Sequence, residues 1–474
     1  MDANQTNMDV PFVPSCPGCV AAAKRIAELE KRDAEREARI AVLERKVEEL
    51  SRSAKRQAAP FSRGLPKSDP KKPGRKSGDD YGTVSRRTVP DHIDETHEAP
   101  LPRRCPNCGN NAFIDTHVEQ QYQVEIPRRP IYRQFNVGVG QCTCCRRRVQ
   151  GRHPLQTSDA LGCCASQVGP EAQAAVVLLN KELGLSWGKI SRFFRMLFGI
   201  GLSRGGGCQI MLRGARRCEP TYQAIIKHVQ HHPSLVPDET GWRIGGSLAW
   251  LHVAVTQDAV AYLIARQRGF EASALLIGAD YQGSMTHDGW RGYERFLLAL
   301  HQTCNDHLIR RCREMMEQAT AAAAIFPRQV MALLHQGLAA RDRRNAGQIT
   351  LQAAAAKAAQ LERRMEALTA APRRNPANER LAKHLWRNLN SLFTYLKFQG
   401  IDATNHKAEQ AIRPAVVNRK VWGGNRTQAG ATAQSILMSV IFTVIKNGHD
   451  ALEFVSQTLR SLPEHRPKLL AQTG

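Results

Sequence analysis

The chain has 474 residues, with 67 Lys and Arg against 43 Asp and Glu, a formal charge of +24 and a pI near 9.9. That length accommodates several domains with at least one sizeable core, and the excess of positive charge favours a polyanionic partner, nucleic acid first. No apolar run reaches the roughly 18 residues of a membrane span and the start, MDANQTNMDVPF, lacks the pattern of a secretion signal, so a cytoplasmic protein without a membrane partner is expected.

Residues 1–19 read as a tail. Its Cys16 and Cys19 have no second pair nearby and are not read as a metal site. Residues 20–52 follow a heptad: Ile26, Leu29, Ile40, Leu43, Val47 and Leu50 keep alternating three- and four-residue steps, with Asp33 and Arg36 filling two seam positions. A short coiled coil that makes a homo-oligomer is expected, although an amphipathic helix packing on its own protein has the same pattern. Residues 53–80 are a basic linker punctuated by Pro60, Pro66, Pro70, Pro73, Gly74 and Gly78. Its Lys71, Lys72, Arg75 and Lys76 are candidate phosphate contacts.

Residues 81–155 hold two CxxC pairs, Cys105 with Cys108 in CPNC and Cys142 with Cys145 in CTCC. The 13 cysteines of the chain are expected as reduced thiols or metal ligands in a reducing compartment. Two such pairs joined by a hairpin, for which QYQVEI and IYRQFNVGV are the candidate strands, would hold a structural zinc ion in a ribbon. Cys144 is an alternative to Cys142 or Cys145. Residues 160–232 then predict short helices parted by LGLS and GIGLS, with Lys189, Arg192 and Arg195 as candidate DNA contacts of a helix-turn-helix.

From residue 233 the texture changes to strands. LVPDETGWRIGG, SLAWLHVAVTQD and AVAYLIARQRG are three strand-like runs parted by Gly-Gly or polar turns. FEASALLIG predicts a helix, GSMTHDGW a short strand, RGYERFLLAL a helix, and HQTCNDHLIRRC a strand followed by a helix. This is the order of an RNase H-like core, whose first part is 233–312. The Ala- and Arg-rich residues 313–400 predict a helical insertion. The core resumes over 401–448, and 449–474 read as a C-terminal tail.

Three acids fall where that order places metal-binding carboxylates: Asp238 on the first strand, Asp288 after the fourth, and Glu409 on a later helix. Carboxylates so grouped can hold two magnesium ions, or manganese, for phosphodiester chemistry. Arg413 lies one turn from Glu409 on the same face, and Arg413, Arg419 and Lys420 are further candidate phosphate contacts. Singly, an Asp in a turn or a Glu before an Arg is more often structural. Glu239 and Asp306 are the rival acids, Glu239 being expected on the opposite face of the strand from Asp238.

PDETGW, THDGWRGY and NHKAEQAIRPAVVNRKVWGGNR, preceded by KKPGRKSG and CPNC…CTCC, resemble the insertion sequence 66 family of bacterial transposases in the form of the large subunit. Asn405, Glu409, Arg413, Pro414, Arg419, Lys420 and Trp422 follow its most specific segment, whereas CNDHLIRRC keeps Cys304, His307 and Arg310 or Arg311 only loosely. The resemblance implies a DDE transposase in which Asp238, Asp288 and Glu409 hold magnesium. Its partners would be double-stranded DNA at the element's terminal inverted repeats and at the target, with small accessory proteins of the same element as further candidates. The expected fold is a multidomain α+β chain: coiled coil, zinc ribbon, helix-turn-helix region and RNase H-like α/β core with a helical insertion. A non-catalytic DNA-binding regulator is the alternative.

Overall fold

The computed structural model describes residues 17–54, 89–113, 117–126, 129–156, 159–162, 167–461 and 465–470. The linker cations Lys71, Lys72, Arg75 and Lys76 lie outside them. The chain divides into two compact units, Met1–Lys72 and Pro73–Gly474.

The first unit contains α1 (Pro17–Ala54), a 38-residue helix that contains the heptad segment. Ile26, Leu29, Ile40 and Leu43 are all exposed along it. Arg25 pairs with Glu28 beside the seam, and Asp33 pairs with Arg36 within it.

The second unit begins with extended chain around the cysteine pairs. Strands β1 (Val139–Gln141) and β2 (Arg148–Gln150) pair antiparallel. The hairpin therefore encloses CTCC itself instead of joining the two cysteine pairs, as the sequence suggested. QYQVEI forms no strand: Val124 and Ile126 are exposed with no layer to pack against, and alternation alone does not hold a strand.

Helices α2 (Pro170–Lys181), α3 (Trp187–Phe198) and α4 (Arg204–His231) follow, with Gly199 in the left-handed region closing α3. The sheet is built from β3 (Ser234–Ile244), β4 (Ser247–Val255), β5 (Val260–Ala265), β6 (Ser284–His287) and β7 (Leu300–Thr303). Its order is β5-β4-β3-β6-β7. The first three strands are antiparallel, and β6 and β7 add parallel to β3. Gly245 and Gly246, both at positive φ, make the two-residue turn between β3 and β4.

Helix α5 (Phe270–Ile277) leads to β6, and α6 (Asn305–Gln318) leaves β7. The helix expected over RGYERFLLAL is reduced to one 3-10 turn at Tyr293–Arg295. The chain instead makes successive three-residue turns, Tyr293 N–H to Trp290, Phe296 to Tyr293 and Ala299 to Phe296. These turns bury Tyr293 and Phe296 and leave Leu297 and Leu298 in solvent, which a continuous helix would not do in so short a crossover.

The insertion forms α7 (Ile325–Asn345), α8 (Leu351–Ala370), α9 (Pro376–Arg387) and α10 (Thr394–Lys397), with a core of its own that includes Leu334, Leu361, Leu385 and Phe393. Helices α11 (His406–Trp422), α12 (Gln428–Lys446) and α13 (Ala451–Arg460) complete the chain. The last lies in the segment read as a tail, yet it buries Phe454, Val455 and Leu459 in the main core.

Side-chain alternation divides the sheet between two cores. Leu235 and Ala254 face the cluster of α2, α4, α12 and α13, while Val236, Val253 and Val255 face the cluster with Ala408, Ile412 and Ala415 of α11. Helix α12 is apolar and long enough to cross a membrane by composition, but most of it is buried in the core. It also closes the edge of the sheet. Ser435, Ser439 and Thr443 accept the N–H groups of Ile264, Tyr262 and Val260 at 2.9, 2.8 and 3.0 Å. Four helical residues rise about 6 Å and two strand residues about 6.6 Å, so one hydroxyl per turn meets every second edge amide.

Candidate active site

β3 and β6 are adjacent and in register at Ser234–Ser284 and Leu235–Met285. Asp238 and Asp288 each lie four residues further on and so reach the same level. Asp288 sits just past β6, where its carboxylate accepts the N–H of Trp290 at 2.8 Å. Gly289 follows at positive φ, and an added methyl there would sit 2.9 Å from His384 Cε1. Asp238 accepts the N–H of Glu239 at 2.9 Å.

Glu409 reaches this end of the sheet from the first turn of α11. The helix is anchored where β7 ends: Cys304 Sγ donates to Asn405 Oδ1 at 3.1 Å, Asn405 N–H returns to Cys304 Sγ at 3.3 Å, and Asn305 N–H reaches the Ala403 carbonyl at 3.0 Å. His307 Nε2 and Arg310 from α6 stand 3.5 and 3.9 Å from Glu409 Oε1. The Glu409 side chain remains 40% exposed.

Charge links the three acids. Burial, then the neighbouring Glu239 carboxylate, and then Asp288 and Glu409 push the Asp238 carboxyl up to about 7. Repulsion of this kind marks a site that a cation would relieve. The acids are not drawn tightly together: among the described residues, the one set of three His, Cys, Asp or Glu ligand atoms mutually within 4.8 Å is His228, His232 and Asp258. Carboxylates that share two ions about 4 Å apart are spread over a wider span than a single-ion cage.

Of the rival acids, Asp306 is exposed in the first turn of α6. Glu239 is already engaged. Its side chain is 2% exposed, Arg268 holds Oε1 at 2.7 Å, and Tyr293 donates to Oε2 at 2.6 Å. Arg268 in turn lies between the rings of Trp250 and Trp290, 4.8 and 4.9 Å from their centroids. Burial nevertheless raises the Glu239 carboxyl, and Asp288 adds to the effect, so Glu239 borders the site and is not remote from it.

The insertion also reaches the site. His384 of α9 abuts Gly289 and feels the charge of Asp288. Burial and then Arg311 and Arg387 lower its imidazole to about 4. Arg387 pairs with Glu294 at 2.9 Å, tying α9 to the crossover after Asp288. Arg268, Tyr293 and His384 were not legible in advance, since their roles depend on contacts across the fold. Trp290 in THDGW was the one local hint.

The cationic candidates separate. Lys189, Arg192 and Arg195 are exposed along α3, while Ile190 and Phe194 of the same helix are buried. Arg413 and Lys420 are exposed on the α11 face that bears Glu409. Arg419, expected among the phosphate contacts, instead points back to β3, donating to Thr240 Oγ1 at 3.1 Å and to the Gly241 carbonyl. Beyond it Gly424 passes against the Arg243 carbonyl, where an added methyl would come within 2.5 Å. Part of the RKVWGGNR motif is thereby accounted for by its seam with β3.

Each cysteine pair forms the same tight turn. Gly109 N–H bonds to the Cys105 carbonyl with Gly109 at positive φ, and Arg146 N–H bonds to the Cys142 carbonyl with Arg146 at positive φ. Backbone N–H groups of Cys108 and Asn107 lower the Cys105 thiol, and those of Cys145 and Cys144 lower Cys142. That is the local chemistry of a zinc knuckle, although the four sulfurs are not gathered about one point.

No curated protein matches the chain. The family model described as Transposase IS66 family matches residues 165–433, from before α2 into α12. That match spans more than half of the sequence and contains all three carboxylates, and the chain belongs to the IS66 family of transposases.

Proposed function

We propose that this transposase cuts and rejoins DNA strands at Asp238, Asp288 and Glu409. The observation behind the proposal is that three segments far apart in sequence bring carboxylates to one end of the sheet, where Asp288 and Glu409 both raise Asp238. The acid-rich donor set suits magnesium or manganese, which prefer oxygen ligands. Bound there, two ions supply activation of a water or a DNA 3′-hydroxyl and stabilisation of the leaving oxygen.

The chain's own residues do the rest. His307 and Arg310 hold the Glu409 carboxylate from α6. Arg268 and Tyr293 neutralise and fix Glu239, so that it does not compete as a ligand. Arg413 and Lys420 meet phosphates beside Glu409, and Lys189, Arg192 and Arg195 present α3 to the terminal repeats. The exposed apolar seam of α1 joins two copies as a coiled coil. Cys105, Cys108, Cys142 and Cys145 hold structural zinc, completing a cytoplasmic, DNA-bound assembly.

The test is magnesium-dependent cleavage of DNA from the ends of the element. Asp288→Ala should abolish cleavage and leave DNA binding intact. Cleavage by Asp288→Ala at the wild-type rate would refute the assignment, and specific binding without cleavage by wild type would favour a regulator.

A further inference from the structure

A second cluster of ligating side chains lies away from the carboxylates. His228 and His232 stand one turn apart at the end of α4, and Asp258 comes from the turn between β4 and β5. His228 Nε2 is 2.9 Å and His232 Nε2 3.8 Å from Asp258 Oδ1. One ligand atom from each residue lies within 4.8 Å of the other two. Ser234, which follows this cluster, is four residues ahead of Asp238, or about 13 Å along the strand, so the two sites are separate.

We propose that His228, His232 and Asp258 bind one transition-metal ion of the zinc class. Two imidazole nitrogens and one carboxylate oxygen are a zinc donor set and a poor one for magnesium. The side chains are 14%, 15% and 39% exposed, which leaves room for an ion to enter and for water as a fourth ligand.

The surroundings orient the ligands. His232 Nδ1 lies 2.6 Å from the Ser234 carbonyl and 3.1 Å from the Ser234 N–H. Both contacts hold the ring so that Nε2 faces Asp258. Thr256 donates to Asp258 Oδ1 at 2.9 Å, and Asn447 Nδ2 to the Asp258 carbonyl at 2.6 Å. An aspartate held in this way is an anionic oxygen ligand at neutral pH.

An ion here would staple the end of α4 to the β4–β5 turn. It would lock the helix that leaves the basic α3 region onto the sheet, independently of the cysteine pairs. Stabilisation would follow from mass action.

The test uses full-length protein in which Cys16, Cys19, Cys105, Cys108, Cys142, Cys144 and Cys145 are replaced by Ser, so that the clustered cysteines no longer take zinc. After chelation, reloading with zinc and desalting, metal analysis should find a single zinc ion per chain, and adding zinc should raise the melting temperature. Cobalt should give weak visible bands with no thiolate charge-transfer band. Adding His228→Gln and Asp258→Asn should remove both the metal and the melting shift. Asp258→Asn alone keeps an acceptor for Thr256 and guards against a folding defect, which circular dichroism in chelator would reveal. If the protein lacking these cysteines retains no zinc, or retains as much after His228→Gln and Asp258→Asn, the cluster is only an ion pair and the proposal is overturned.

Discussion

Replacing Asp238 by Asn should stabilise the metal-free protein, and the gain should depend on pH. The Asp238 carboxyl moves from an ordinary 3.8 to about 7, or about three pH units. At about 1.4 kcal/mol per unit, its ionised form costs the fold about 4 kcal/mol. The side chain keeps some contact with water, so about 2–4 kcal/mol is the expected range. The sign follows from linkage. Below the unfolded value both states hold the proton and there is no penalty. Between the two values the folded state keeps a proton that the unfolded state has released, and wild type loses stability as pH rises. Above the folded value the penalty is complete. Asn mimics the protonated acid throughout. Urea unfolding in chelator, followed by tryptophan fluorescence, should therefore show Asp238→Asn only slightly ahead at about pH 4 and furthest ahead at about pH 8. Magnesium should close the gap by stabilising wild type alone. A gap that is absent at about pH 8, or unchanged between the two pH values, would refute the claim that burial and the neighbouring acids disfavour the Asp238 charge.

Arg268→Met strips Glu239 of its partner in a site where the carboxylate is 2% exposed. It should cost about 3–5 kcal/mol in urea unfolding, with Glu239→Gln added to it recovering much of the loss. Ser439→Ala leaves the buried Tyr262 N–H without its acceptor and should cost about 1–3 kcal/mol in the same assay. Replacing Lys189, Arg192 and Arg195 together by Ala should leave the melting temperature unchanged. It should weaken binding to element-end DNA and make the salt dependence shallower, by up to about 0.9 in log–log slope per lost phosphate contact.

The five-stranded sheet was the most legible part, because its physics is local. Three runs with alternating apolar residues and a Gly-Gly turn led to β3, β4 and β5, and Asp238, Asp288 and Glu409 each lay in a recognisable setting. What the sequence did not disclose depends on contacts across the fold. RGYERFLLAL has the composition of a helix, but the burial of Tyr293 and Phe296 on one side of a short crossover gives turns. Arg419 looked like a phosphate contact until β3 offered it Thr240 and the Gly241 carbonyl. Ser435, Ser439 and Thr443 passed as polar interruptions in an apolar helix, although their four-residue spacing matches the edge of β5. Glu239 was expected to face away from Asp238. Its alliance with Arg268 and Tyr293 depends on an arginine 29 residues away in sequence.

The central claim is that Glu409 is the third metal-binding carboxylate. The most direct measurement is cleavage and joining of element-end DNA with magnesium, comparing wild type, Glu409→Gln and Asp306→Asn. The account predicts that wild type and Asp306→Asn are active and that Glu409→Gln binds the DNA but neither cuts nor joins it. Activity in Glu409→Gln with none in Asp306→Asn would contradict it and move the third carboxylate to the start of α6.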